Sequence, residues 1–243
     1  MRYNNVAVQI KLVEEIEIDE KFGSAVQSAL EGSQWSIPTE FSYMKIHIFG
    51  AAGAGSTTLG SLLSGRLSIK QIDVDQLTWD HTTRPFGGRH PRKIRSARVR
   101  AEIECETSAI VTGSLCGWGD KLVERFDIGI FLHVPTAERL RRINLRQTER
   151  FGPDAIAPGG EYYGDHEALM TWAGLYDYSA PNTRSYAQHR QWMRKQKYPI
   201  LTLRGIAHAR SVLDLGLSYI LGEKAMKHRM TIDLGVDELQ PTR

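Results

Sequence analysis

One stretch, IHIFGAAGAGSTTLGSLL at residues 46–63, constrains this chain more than any other. Its first part is a short β-rich run that stops at Gly50. After a glycine-rich turn, Leu59, Leu62, Leu63 and Leu67 recur at helical spacing. Strand, turn and helix frame the phosphate-gripping pattern G-x-x-x-x-G-K-[ST], with Gly50 and Gly55 at its glycines and Thr57 at its last position. Ser56 stands where the pattern has lysine. Gly50, Gly53 and Gly55 let the backbone turn tightly, so that N–H groups across Ala54, Ser56 and Thr58 can face an anion. The positive end of the helix starting near Ser56 adds to them. Main-chain donors survive the loss of a lysine. A glycine-rich turn of no function is the plain alternative.

The rest of the chain alternates in the same way. IKQIDVD (69–75), AIVTGSL (109–115), DIGIFLHVP (127–135) and YPILTLRG (198–205) read as further strands. RKIRSARVRAEIECE (92–106), AERLRRINLRQTER (137–150, with Thr136 as cap and Glu138 near its positive end) and ARSVLDLGLSYIL (209–221) read as helices. The alternation predicts an α/β fold with a parallel, five-stranded sheet. The strands are apolar at most positions, as burial on both faces requires. The long segment at about 151–197 is too long for a structureless loop and is expected to be a helical lid. Residues 1–43 are expected to be an accessory segment, residues 44–222 the main domain and residues 223–243 a tail.

Read together, KIHIFGAAGAGSTTLGSLL, IDVDQLTW, TGSLCGWGD, FLHVP and RQTERFG resemble a branch of the P-loop small-molecule and nucleotide kinases, the superfamily that includes adenylate kinase and shikimate kinase. The resemblance covers about residues 44–222. It implies a three-layer P-loop NTPase fold of the nucleoside-monophosphate-kinase type. It also implies ATP and Mg²⁺ as cofactors. Members of this branch commonly carry Thr or Ser in place of the lysine, so Ser56 looks like a trait of the branch.

A serine offers one neutral hydrogen bond, worth about 0.5–1.5 kcal/mol against about 1.5–3 for a charge-assisted one. Arginines can make up the difference. Arg142, Arg146 and Arg150 are spaced i, i+4, i+8 and share one face of the helix that leads into the lid. Arg142 is a candidate for holding the nucleotide, and Arg146 and Arg150 for the transition state. Arg184 at the lid's far end could join them. A solvated helix face is the alternative for each.

In IDVDQ, Asp73 and Asp75 alternate with apolar residues and are expected on one face at the strand's carboxyl end, where open α/β sheets bind ligands. Shikimate-type kinases have a similar D-x-D. That resemblance implies that Asp73 supports Mg²⁺ with Thr57, and that Asp75 orients the acceptor hydroxyl. Two acids capping the next helix are the alternative. The third strand ends in Gly113-Ser114 instead of an acid. Ser114, Trp118 and Asp120 in GSLCGWGD, with Trp79 and Arg84, are the candidates for the acceptor pocket; a core role for Trp118 and a helix cap for Asp120 are the alternatives. His47, inside the first strand, is expected to be structural.

The net charge of +3 excludes little, but residues 84–100 are a dense run of arginines with one lysine and no acid. That run could face phosphates, or be a solvated basic helix. Two cysteines and no basic-then-apolar leader point to a reducing cytoplasm, and no apolar run is long enough to span a membrane. The leading expectation is a Mg·ATP-dependent phosphotransferase acting on a small acceptor, with nucleosides and nucleotides as candidates. A nucleotide-binding regulator of weak or no activity, and a kinase acting on nucleic acid, are the alternatives.

Overall fold

The computed structural model describes residues 43–80, 88–180, 183–221 and 230–234. Of the expected accessory segment only Tyr43 falls among them, and Arg84 lies outside the described residues. In chain order the elements are β1 (Lys45–Gly50), α1 (Ser56–Leu67), β2 (Gln71–Asp73) and α2 (Val74–Thr78). Two-residue strands Trp79–Asp80 and Gly88–Arg89 then pair antiparallel. α3 (Arg92–Cys105), β3 (Ala109–Thr112), β4 (Ile128–His133), α4 (Thr136–Phe151), α5 (Pro153–Ile156), α6 (Tyr163–Gly174), α7 (Tyr186–Arg194), β5 (Ile200–Arg204), α8 (Ala209–Leu221) and β6 (Met230–Asp233) follow.

The protein is α/β, with a wholly parallel main sheet in the order β2-β3-β1-β4-β5-β6. It has six strands where five were expected. The sixth, Met230–Asp233, falls in the expected tail; four residues are too few to show a period before they pair with β5. β1 lies at the centre, and its residues alternate between two cores. Ile46 and Ile48 pack with Leu59, Leu63 and Leu67 of α1 and with Leu217 and Ile220 of α8. Phe49 packs on the other face with Val99 and Ile103 of α3 and Trp192 of α7. Leu62, at the same helical spacing, is turned outward instead.

The expected lid divides in two. α5 and α6 remain beside α4, but α7 belongs to the second core, where His189 and Trp192 are buried. Between β3 and β4 there is only the 3-10 turn Val123–Arg125, so no crossover helix covers that face there. α7 supplies the missing cover. Among the described residues no helix is long and apolar enough to cross a membrane.

From β1 the chain crosses towards the β2 edge; from β4 it crosses towards the β6 edge. The carboxyl end of β1 therefore sits where the strand order changes direction, the place where open α/β sheets bind ligands.

Candidate functional site

The turn after β1 is held by backbone contacts that only glycine permits. Gly53 (φ 78) and Gly55 (φ 96) are left-handed. A Cβ on Gly53 would lie 2.5 Å from the carbonyl oxygen of Arg139. Gly55 ends the turn and begins α1 with no side-chain cap and no acid in the first turn. The first N–H groups of α1 are thus left for an outside acceptor. Ser56 is half-buried, while Thr57 and Thr58 are exposed. Gly60 lets α1 approach the sheet: a Cβ there would meet Thr112 at 2.2 Å and Gln71 at 2.8 Å. Gln71 Nε2 donates to the carbonyl of Thr57 (3.0 Å) and to Thr112 Oγ1 (3.2 Å), which fixes the start of α1 over β2 and β3.

Thr57 and Asp73 meet: the Thr57 hydroxyl donates to the Asp73 carboxylate. Burial raises the Asp73 pKa, and the nearby charge of Asp75 adds to this, while hydrogen bonds from the Asp75 N–H, Thr57 and the Gln76 N–H oppose it. The expected strand geometry of the two acids is corrected here. β2 ends at Asp73, whose side chain accepts the Asp75 N–H (2.9 Å) as the cap of α2. Asp75 lies in the first turn of that helix. Asp73 competes successfully for the backbone, as Asp does at helix starts, so the period-2 alternation breaks after one residue.

α4 brings arginines to the same place. Arg142 Nε donates to Glu138 Oε1 (2.7 Å), and its Nη1 lies 3.5 Å from the Ala54 carbonyl oxygen and 3.6 Å from where a Gly55 Cβ would be. Glu138 is 6% exposed and is also gripped by Arg141 through two bonds (2.7 and 2.8 Å). The bonds from Arg141, then those from Arg142, hold its carboxyl down at about 2 against the effect of burial. Arg146 is exposed but lies within electrostatic reach of Asp75 and Asp73; desolvation by its surroundings and the neighbouring Arg150 lower its pKa, and the two acids oppose this. Arg150 stands further out, over Phe151. Thr136 does not cap α4. It is the first helical residue, and its hydroxyl donates to Asp177.

Arg139, on the same helix, is fully buried. It donates to the carbonyls of Val134 (3.0 Å) and Ala173 (3.0 Å), pairs with Asp177 (3.0 Å) and reaches towards the Ala52 carbonyl (3.5 Å). Burial raises the pKa of Asp177, but bonds from Thr136, His133 and Arg139 outweigh it and the net shift is downward.

The acceptor-side candidates scatter. Ser114 is buried and bonds His189 Nε2 (2.7 Å), whose Nδ1 meets the Tyr176 hydroxyl. Asp120 Oδ1 accepts from Trp192 Nε1 (2.9 Å) and so anchors α7. Trp118 donates to the Ser114 carbonyl (2.9 Å), and Arg95 covers its ring. Arg89 covers Trp79, and Arg184 covers Trp172. His47 is buried, its Nε2 donating to the Gly113 carbonyl (2.9 Å), with Phe49 and Phe126 stacked on its two sides.

No protein-family model matches the chain. The uncharacterized protein YqaC of Bacillus subtilis (strain 168) is 34% identical over 176 residues, which cover 72% of this chain and 96% of that protein. The chain belongs to the YqaC family. Among solved structures it is similar to a gluconokinase from Sinorhizobium meliloti 1021 (16% identity, 75% of this chain and 95% of that one, TM-score 0.48). It is also similar to deoxyadenosine kinase from M. mycoides with bound dATP (15%, 73% and 99%, TM-score 0.45). A third is shikimate kinase from Bacteroides thetaiotaomicron (17%, 73% and 98%, TM-score 0.44).

In this YqaC-family chain several residues that shape the site carry no motif. Glu138 and Arg139 fall inside a charge-rich helix and look like surface residues. Gln71 precedes the acids by two positions and could have been found only from its closeness to Gly60. Arg89 and Arg95 were visible only as part of a basic run.

Proposed function

We propose that the chain is a Mg·ATP-dependent phosphotransferase acting on a small acceptor. The observation that carries this reading is Arg142, whose guanidinium lies against the glycine turn on the side of Gly55 while Ser56 stands in the lysine position. Glu138 holds the Nε side of that guanidinium, which leaves its outer N–H groups for the β- and γ-phosphates. The N–H groups across Gly53, Gly55, Ser56, Thr57 and Thr58 complete the cradle, while Gly50 opens the turn from β1 and the Ala54 N–H closes it on the Ala51 carbonyl (3.1 Å).

The oxygen ligands of Thr57 and Asp73 suit Mg²⁺, which takes one or two carboxylates together with substrate phosphates. Bound there, Mg²⁺ would neutralise charge on the phosphates. Asp75 accepts the proton of the acceptor hydroxyl. The acceptor oxygen bonds to the γ-phosphorus as the bond to the β–γ bridging oxygen breaks, and ADP leaves. Arg146, within reach of both acids, opposes the charge that develops; an arginine in that role contributes about 10³–10⁵ in rate. Arg150 stands second to it.

A second reading, a nucleotide-binding regulator, is favoured by one observation: the end of β3 offers Ser114, buried against His189, where an acid would assist the metal. Calorimetric titration of Mg·ATP into the full chain, paired with an ADP-release assay over a broad acceptor panel, separates the two. Binding with acceptor-dependent ADP release is expected. Binding without release on any acceptor supports the regulator, and no binding overturns both.

A further inference from the structure

A second group of cations stands beside Asp75, and the nucleotide does not account for it. Arg89 lies in the short antiparallel pair, Arg95 in the first turns of α3, and Arg184 just before α7. Each guanidinium lies over a tryptophan, at 4.6 Å from the ring centroid for Arg89 on Trp79, 4.7 Å for Arg95 on Trp118 and 5.4 Å for Arg184 on Trp172. Stacking of this kind fixes the plane of a guanidinium and leaves its N–H edge for a bidentate partner.

That partner is not supplied by the described residues. None of the three arginines forms an ion pair among them. The Nε atoms of Arg95 and Arg184 are shielded from water and have no hydrogen-bond partner. Buried donors without partners are costly, at about 1–3 kcal/mol each, and more for charged groups. Arg89 feels Arg184 and Arg95 as like charges, and Asp75 is the acid that acts against them. Three guanidinium charges against one carboxylate leave an excess of two. Arg92 is exposed at the rim, tied by its Nε to the Trp118 carbonyl (3.2 Å), and stands outside this count.

We propose that Arg89, Arg95 and Arg184 are the seat of a dianionic phosphate monoester carried by the acceptor, so that the acceptor arrives already phosphorylated. A monocarboxylate would leave one positive charge uncompensated; a phosphate monoester matches both the excess and the fork geometry. The seat rests on the kinase reading above, because it is the acceptor's position beside Asp75 that gives it a purpose.

The test uses the full chain saturated with Mg²⁺ and a non-hydrolysable ATP analogue, so that the glycine turn is already filled. Inorganic phosphate is then titrated in by calorimetry. Saturable binding is expected, weakened by about tenfold or more in Arg89→Gln and in Arg184→Gln, as the loss of one charge-assisted pair requires. Analogue affinity should not change in either variant, and acetate should not bind. Arg89→Lys, which keeps the charge, should recover part of the affinity. AMP against adenosine, and ribose 5-phosphate against ribose, then show whether the monoester belongs to a nucleotide or a sugar. If the analogue binds but phosphate does not, or if phosphate binds equally to both variants, the seat is overturned and the kinase reading stands. If the analogue does not bind, both fall.

Discussion

Replacing Arg142 with glutamine tests the substitute for the missing lysine directly. Its guanidinium Nη1 lies 3.6 Å from the Gly55 Cβ position, and its Nε is already bonded to Glu138. The outer N–H groups are therefore the ones a phosphate would take. A charge-assisted hydrogen bond is worth about 1.5–3 kcal/mol. At about 1.4 kcal/mol per decade, Arg142→Gln should weaken Mg·ATP binding by about 10- to 100-fold. The fold should hardly notice. Glu138 keeps both bonds to Arg141, so no buried carboxylate is orphaned, and the stability loss should stay under about 1 kcal/mol. Ser56→Lys should keep nucleotide binding in the parent chain and restore most of the lost affinity in Arg142→Gln. Calorimetric titration with Mg·ATP reads the affinity, and denaturant unfolding reads the fold. An unchanged Kd in a folded Arg142→Gln would refute the reasoning, as would loss of binding in Ser56→Lys.

Two further outcomes follow from the geometry. Gly53→Ala combines a left-handed φ of 78° with a Cβ 2.5 Å from a carbonyl oxygen, so it should cost about 2–4 kcal/mol in denaturant unfolding, and a loss within about 0.5 kcal/mol would contradict the close approach. His47 and His189 are held neutral by burial, with pKa values lowered to about 4 and about 3. The unfolded chain takes up their protons first, near pH 6.5, so their stabilisation is complete above that and declines as the pH falls towards 4 and 3. The decline should reach about 1.4 kcal/mol per pH unit for each, and His133, also lowered chiefly by burial, adds to it. Between pH 6.5 and 5 the ion-paired carboxylate of Glu138 stays ionised, so a flat unfolding free energy there would count against neutral buried histidines.

How much of this could be read from the sequence depended on whether the signal was local. The strand, glycine turn and leucine-spaced helix at residues 45–67 are local, and they appear as written except for Leu62. The helix at residues 209–221 appears with its expected bounds. Asp73 and Asp75 break the expected period, because Asp73 could either continue a strand or cap a helix and the choice is made by its bond to the next N–H but one. The segment expected as a lid divides for a different reason. Nothing in YAQHRQWMR says that Trp192 will close a face left bare by the short turn between β3 and β4. Asp120, a candidate for the acceptor pocket or a helix cap, accepts from Trp192, distant in sequence. Long-range partners of this kind leave no periodic trace.

Arg139 joins parts that lie far apart in the chain. A single planar cation touches the turn at Ala52, the carbonyl at the end of α6 and the acid that follows it, and its own backbone oxygen sits where a Gly53 side chain would be. These pieces are riveted at one point. A swing of α5 and α6 would therefore pivot on the Ala173 end, and a larger displacement there would tug at the glycine turn itself. On the kinase reading proposed above, opening that side of the molecule and loosening the grip on phosphate would be the same movement.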